Sequence, residues 1–96
     1  MTKPLILVTN DDGIRAPGIK LLAQAMQPLG EVRVFAPEGQ QSAVGHGVSL
    51  HKPLRVNELE VGWYEVDGTP TDCVMLAVRA LLGRKPDLVI SGVNPG

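Results

Sequence analysis

The sequence predicts an α/β fold in which helices pack on both faces of a mostly parallel, doubly wound sheet. Two observations support this fold class. Continuous apolar runs end in polar turns, as in strands that are buried on both faces. Segments with the 3.6-residue period of a helix lie between these runs. Crossovers between parallel strands are right-handed in nearly all proteins, which places the first strand between the other two.

The first unit of the chain is a strand followed by a helix. Residues 5–9, LILVT, form a short apolar run, and Pro17 lies where the first turn of a helix would tolerate it. The apolar residues of the segment that follows share one helix face: Ile19, Leu22, Ala23 and Met26. Residues 28–30, PLG, end this predicted helix.

The middle of the chain predicts a second strand, a long loop and a hairpin. Residues 31–36, EVRVFA, are typical of a strand, and the polar, glycine-rich segment 37–47 is too irregular for a tight turn. Residues 48–56 and 62–68 resemble the two arms of a β-hairpin. Because Pro53 argues against a central strand, we expect this hairpin to protrude from the main sheet.

The last segment predicts a second helix and a third strand. Thr69 and Asp72 have the T-x-x-D spacing of a capping box, with Pro70 at the first helical position. The predicted buried stripe of this helix consists of Val74, Ala77, Val78 and Leu81. Residues 86–90, PDLVI, predict a third buried strand. The whole chain therefore predicts a Rossmann-like, three-layer α/β/α architecture.

Composition narrows the functional classes. The 96 residues, 44% hydrophobic and 20% charged, describe one small domain without an apolar run near the roughly 20 residues of a membrane-spanning helix. The single cysteine, Cys73, excludes an internal disulfide and predicts core packing in a reducing, cytoplasmic compartment. A net charge of −1, and one residue each of Trp, Tyr and Phe, argue against polymeric nucleic acid as a partner.

Polar residues follow each predicted strand, at residues 10–13, 38–42 and 91–94. In doubly wound sheets, ligands bind outside the carboxyl ends of the strands, so these segments should meet. Asp11 and Asp12 repel each other, and a cation would compensate that repulsion. Together with a hydroxyl and a carboxamide oxygen from the other two segments, the two carboxylates form a hard ligand set that suits Mg²⁺ or Mn²⁺.

Simpler interpretations stay open at this point. Asp12 and Gly13 are also typical of an ordinary turn, and Asp11 of a helix cap. His46 lies in a glycine-flanked loop where it could contact a phosphate, bind zinc or simply be solvated. Glycine loops that cradle dinucleotides or nucleoside triphosphates are absent from the sequence. Hydrolysis of a phosphomonoester, assisted by a cation that acidifies a bound water, is the favoured class.

The segments VTNDDGI, APEGQQSAVGH, DGTPTDCVMLA and SGVNPG occur in an order and spacing that closely resemble the amino-terminal part of the SurE family of survival nucleotidases. The resemblance implies a metal-dependent phosphatase that acts on nucleoside 5′- and 3′-monophosphates, and also on short polyphosphate. It implies a cytoplasmic homodimer or homotetramer.

Carried over by motif, the resemblance assigns the metal ligands as Asp11, Asp12, Ser42 and Asn94, with Asp11 and Asp12 catalytic through the metal-bound water. Candidate substrate contacts are Asn10, Gly45 and His46. Because family members are longer, we expect residues 1–96 to be the amino-terminal part of the domain and to be inactive alone. The alternative is a catalytically silent module that binds a metal or nucleotide and acts by assembly.

Overall fold

The structure is a computed structural model that describes residues 3–39, 55–81, 83 and 85–92. It contains one five-stranded sheet in the order β3-β4-β2-β1-β5. The strands are β1 (Leu5–Thr9), β2 (Glu31–Pro37), β3 (Val56–Glu60), β4 (Trp63–Val66) and β5 (Leu88–Ser91). The helices are α1 (Pro17–Met26) and α2 (Pro70–Leu76), and α2 continues into a π-helical turn over Ala77–Leu81. Within the described residues, no helix is both long and apolar enough to span a membrane.

The predicted α/β class is confirmed, and so is the position of the first strand between the other two predicted strands. β1 pairs in parallel with β2 on one side and with β5 on the other. Alternate residues of β1 point to opposite faces of the sheet. Val8 belongs to a buried cluster that includes Ile19 and Ala23 of α1, whereas Leu7 packs in a second cluster with Cys73 of α2. The helices therefore cover opposite faces, as three layers require.

The two helices begin as the sequence predicted. Pro17 occupies the start of α1, and Ile19 and Ala23 are fully buried. At α2, the Thr69 hydroxyl accepts a hydrogen bond from the Asp72 backbone N–H, and the Asp72 carboxylate accepts one from the Thr69 N–H. The predicted capping box is present.

The buried stripe of the second helix differs slightly from its prediction. Cys73 and Ala77 are fully buried, and Val74 and Leu76 pack against the same cluster. Val78 is only half-buried, and the side chain of Leu81 lies outside the description. The stripe is rotated towards Cys73, which lies four positions before Ala77 and so shares its helix face. Both residues pack with Leu7 of β1 and Phe35 of β2.

The prediction that the hairpin protrudes from the main sheet is wrong. β3 and β4 form an antiparallel hairpin, but β4 also pairs in parallel with β2, from Val34 opposite Trp63 to Pro37 opposite Val66. Both faces of β4 are covered because Trp63 packs on the α1 side and Val66 on the α2 side. The hairpin therefore extends the sheet, and the described part of its first arm is Val56–Glu60. Residues 48–54 of the predicted arm lie outside the described residues.

The third predicted strand exists but is not buried. β5 begins at Leu88, two residues later than predicted, and Leu88 and Val89 are 46% and 45% exposed. Its residues alternate above and below the sheet, yet in the described part of the chain β5 pairs with β1 alone. An apolar strand at a sheet edge keeps one side open to solvent.

Candidate metal and phosphate site

A buried asparagine closes the turn that carries the two aspartates. Asn10 is completely inaccessible to solvent. Its Nδ2 donates to the Gly13 carbonyl oxygen at 2.8 Å, and its Oδ1 accepts from the Gly13 N–H at 3.1 Å. Asp11 and Asp12 occupy the two positions between these bonds and are partly exposed. The turn therefore fixes the backbone of both acids, and both residues stay partly exposed.

The end of β1 packs directly on the end of β2. The Ile14 N–H donates to the Pro37 carbonyl oxygen at 2.7 Å. Gly13 has φ of +108°, and a Cβ at this position would lie 3.0 Å from the Cα of Gly39. Only glycine meets both conditions, because other residues strain at this φ and a side chain would collide with backbone. Gly13 thus permits the acid pair to sit beside the loop that follows β2.

The end of β5 reaches the same place. Thr9 is opposite Ser91 in the sheet, and the Gly92 N–H donates to the Thr9 carbonyl oxygen at 2.9 Å. The three strand ends that the sequence predicted to converge are therefore adjacent. Ser42 and Asn94 lie outside the described residues, a few positions beyond Gly39 and Gly92. Their roles as ligands stay predictions, as do the substrate contacts of Gly45 and His46, which also lie outside.

The structure tests one of the simpler interpretations of the acid pair. Asp11 is not the N-cap of the following helix, because the N-cap of α1 is Ala16. The turn itself exists, but Asn10 makes it. Asn10 therefore has a positioning role that the sequence did not reveal, and its direct contact with substrate stays a prediction.

The described part of the site suits a hard divalent cation. Asp11 and Asp12 provide two adjacent, partly exposed carboxylates on a fixed turn, and carboxylate oxygens are preferred ligands of Mg²⁺ and Mn²⁺. Among the described residues, no group of three or more His, Cys, Asp and Glu side chains clusters as a metal site. Neutral oxygens, such as those predicted from Ser42 and Asn94, would complete the ligand set. This composition favours magnesium or manganese over zinc.

A fourth strand end joins this edge of the sheet, which the sequence reasoning missed. Because β4 runs parallel to β2, its carboxyl end lies beside that of β2, and the Glu38 N–H donates to the Val66 carbonyl oxygen at 3.0 Å. The loop from Asp67 to the capped start of α2 therefore lies at the same edge. A strand followed directly by a capping box is the signal that could have identified this second βα unit.

An ion pair connects the acid-bearing loop to β4. Arg15 Nη1 donates to Glu65 Oε2 at 2.6 Å, and Asn57 Nδ2 of β3 donates to Glu65 Oε1 at 3.2 Å. These hydrogen bonds, first from Asn57 and then from Arg15, lower the pKa of Glu65 below its ordinary value of 4.5, although burial opposes the shift. Glu65 is therefore ionised at neutral pH. A single acid within the strand WYEV was the sequence signal for this pair.

Cys73 has the structural role that the sequence predicted. It is fully buried on α2, and burial raises its thiol pKa to about 12, while the adjacent Thr9 hydroxyl partly opposes the shift. The thiolate is the nucleophilic form of cysteine, and almost none exists at neutral pH with such a pKa. Cys73 is therefore a core residue rather than a nucleophile.

Comparisons with known proteins agree with this architecture. The sequence model of the family described as Survival protein SurE matches residues 6–96. The 5′-nucleotidase SurE of Geobacter metallireducens is 58% identical over 91 residues, which cover 95% of this chain and 36% of that protein. The 5′-nucleotidase SurE of Flavobacterium psychrophilum is 52% identical over 101 residues, covering 100% of this chain and 39% of that protein. The chain thus spans little more than a third of these relatives.

A solved structure gives the same result for the fold. The crystal structure of the SurE protein from Aquifex aeolicus superposes with a TM-score of 0.89 at 46% sequence identity. The match covers 97% of this chain and 38% of that chain.

Proposed function

This chain belongs to the SurE family, and from that premise we propose that the protein is a metal-dependent phosphatase of nucleoside monophosphates. Its products are the nucleoside and inorganic phosphate. Nucleoside 5′-monophosphates are the first expected substrates, because the relatives carry the name 5′-nucleotidase. We extend the proposal to 3′-monophosphates and short polyphosphate, and to action in the cytoplasm as a homodimer or homotetramer.

The observation that supports this proposal most is the fixed pair of partly exposed carboxylates where the strand ends converge. Asp11 and Asp12 alone would repel a phosphomonoester, which carries close to two negative charges at neutral pH. Substrate binding at this turn therefore depends on a cation held by the pair. The described residues fit a divalent ion, with Ser42 and Asn94 as the proposed further ligands.

Each part of the chain has a defined task in this proposal. When bound, the divalent ion supplies charge neutralisation to the phosphoryl group and makes a water molecule more acidic. Asp11 and Asp12 hold the ion, and Asn10 keeps their backbone in one conformation through its bonds to Gly13. Gly45 and His46 are proposed to contact the phosphate or the nucleoside. A fixed arrangement of charges lowers the reorganisation needed in the transition state.

Phosphate release from nucleoside monophosphates tests the proposal. The full-length gene product is stripped with a chelator and assayed with and without Mn²⁺ or Mg²⁺, beside Asp12→Asn and the exposed α1 variant Gln24→Ala. We expect activity with added metal, a loss of at least about 100-fold in Asp12→Asn because a direct ligand matters more than its supports, and no loss in Gln24→Ala.

Two other results would have distinct meanings. Equal phosphate release with and without the chelator would contradict a metal-dependent mechanism. Metal-dependent nucleotide binding without any turnover would favour the alternative, a silent binding module that acts by assembly.

A further inference from the structure

The Arg15–Glu65 ion pair joins two elements that are not neighbours in the sheet. Arg15 lies in the loop between β1 and α1, three residues after Asp12. Glu65 lies on β4, and β2 separates β4 from β1. The pair therefore spans β2 and attaches the acid-bearing loop to the far half of the sheet. Asn57 extends the attachment to β3 through its bond to the second carboxylate oxygen of Glu65.

The burial of Glu65 makes this pair different from an ordinary surface ion pair. The Glu65 side chain is 9% exposed, whereas the Arg15 side chain is 67% exposed. A buried carboxylate is costly unless it is paired and hydrogen-bonded, so Glu65 constrains the position of the guanidinium that compensates it. The pair between Arg33 and Glu31 lacks this constraint, because its distance is 3.2 Å and its side chains are 31% and 47% exposed.

We propose that Glu65 is a positioning residue for the acid pair, which acts by holding Arg15 and, through it, the loop that carries Asp11 and Asp12. Two other attachments fix this loop near its centre, namely the Asn10 turn and the bond from Ile14 to Pro37. Arg15 fixes its far end, where the chain turns into α1. The consequence for catalysis rests on the proposed function, whereas the consequence for the loop does not.

A purely structural role of Glu65, such as securing the β3-β4 hairpin, predicts different behaviour. It would lower stability without changing the affinity of the acid pair for a cation. Positioning through Arg15 predicts instead that removing either partner has the same effect, and that removing both adds little. Coupled residues show this non-additivity in a double-mutant cycle, and independent ones do not.

The cycle consists of Glu65→Gln, Arg15→Gln and the double variant in the full-length gene product, with Glu31→Gln as the matched control. Glutamine keeps the length of Glu65 and can still accept from Asn57, so the fold should be retained. Mn²⁺ affinity is measured by calorimetry. Hydrogen exchange of the Gly13 and Ile14 amides is measured on the metal-free protein, so it reports on the loop alone.

We expect each single variant to bind Mn²⁺ about three- to ten-fold more weakly, less than the roughly 10- to 100-fold effect of groups that bond directly to a metal ligand. The double variant should match the single variants, the two loop amides should exchange faster in all three, and Glu31→Gln should behave as wild type. Unchanged affinity and exchange, or effects that multiply in the double variant, would overturn the inference.

The two readouts separate this inference from the proposed function. If wild type bound no Mn²⁺, the proposed function would fail, and amide exchange in the metal-free variants would still decide whether Glu65 positions the loop. If wild type bound Mn²⁺ and released phosphate while the variants behaved as wild type, only the positioning role would be wrong.

Discussion

Replacing Asn10 by alanine removes both side-chain hydrogen bonds that close the turn around the acid pair. The bonds measure 2.8 and 3.1 Å, and Asn10 is completely buried. Each buried hydrogen bond contributes about 1 kcal/mol net, and an unsatisfied partner costs about 1 to 3 kcal/mol. The Gly13 carbonyl keeps the bond that it accepts from the Ala16 N–H at 3.1 Å, whereas the Gly13 N–H loses its acceptor. One lost bond at the carbonyl and one unsatisfied N–H together lower the expected free energy of unfolding by about 2 to 4 kcal/mol.

Asn10→Asp provides a graded comparison at the same position. Aspartate keeps the shape and can still accept from the Gly13 N–H, but when ionised it cannot donate to the Gly13 carbonyl. It also adds a buried negative charge next to Asp11 and Asp12. Burial and like charges raise a carboxyl pKa above its unfolded value, so this variant should approach wild-type stability as pH falls and the group becomes protonated.

Urea denaturation of the full-length gene product measures these effects, with the exposed Gln24→Ala as the neutral control. At neutral pH we expect both Asn10→Ala and Asn10→Asp to be less stable than wild type, and Gln24→Ala to be as stable as wild type. A loss under about 0.5 kcal/mol for Asn10→Ala, the range of ordinary surface substitutions, would show that Asn10 does not hold the turn.

Three further predictions follow from the described residues. Gly13→Ala should weaken Mn²⁺ binding, because the added Cβ combines strain at φ +108° with a 3.0 Å approach to Gly39. The control Gly62→Ala, with φ +84° and 3.5 Å to its nearest neighbour, should lower stability without changing Mn²⁺ affinity. Equal Mn²⁺ affinity in the two variants would count against the packing of the two strand ends. Because the pKa of Glu65 is lowered in the folded state, its ion pair stabilises the fold fully above the unfolded pKa of 4.5, and this stabilisation is lost as pH falls through the folded pKa. In urea titrations, the stability difference between wild type and Glu65→Gln should therefore shrink towards acid pH. A difference that does not depend on pH would contradict the pairing. Cys73, with its thiol pKa raised to about 12 and no solvent exposure, should react with a thiol reagent such as Ellman's only after unfolding, and rapid labelling of the native protein would show that α2 opens readily.

The parts of the fold that sequence predicted correctly depend on local patterns. The apolar run of β1, the proline at the start of α1 and the capping box of Thr69 and Asp72 each require only a few adjacent residues. The adjacency of the strand ends then followed from the handedness of crossovers. Local chemistry and one topological rule were therefore sufficient to place Asp11 and Asp12 at the correct edge of the sheet.

The parts that sequence missed depend on distant pairing. The alternation in WYEV is compatible with a protruding hairpin, and only its pairing with β2 makes it a strand of the main sheet. Arg15 and Glu65 are 50 residues apart in sequence, so no local pattern joins them. The exposure of Leu88 likewise depends on what packs beside β5, which its own apolar residues do not specify.

The central claim, that Asp11 and Asp12 hold a divalent cation, is tested most directly by calorimetric titration of the metal-free, full-length gene product with Mn²⁺. Asp11→Asn keeps the size of the side chain and removes one charged ligand. We predict saturable binding by wild type and an affinity at least about ten-fold lower for Asp11→Asn, with Gln24→Ala equal to wild type. Equal Mn²⁺ affinity in wild type and Asp11→Asn would place the metal elsewhere and contradict the account.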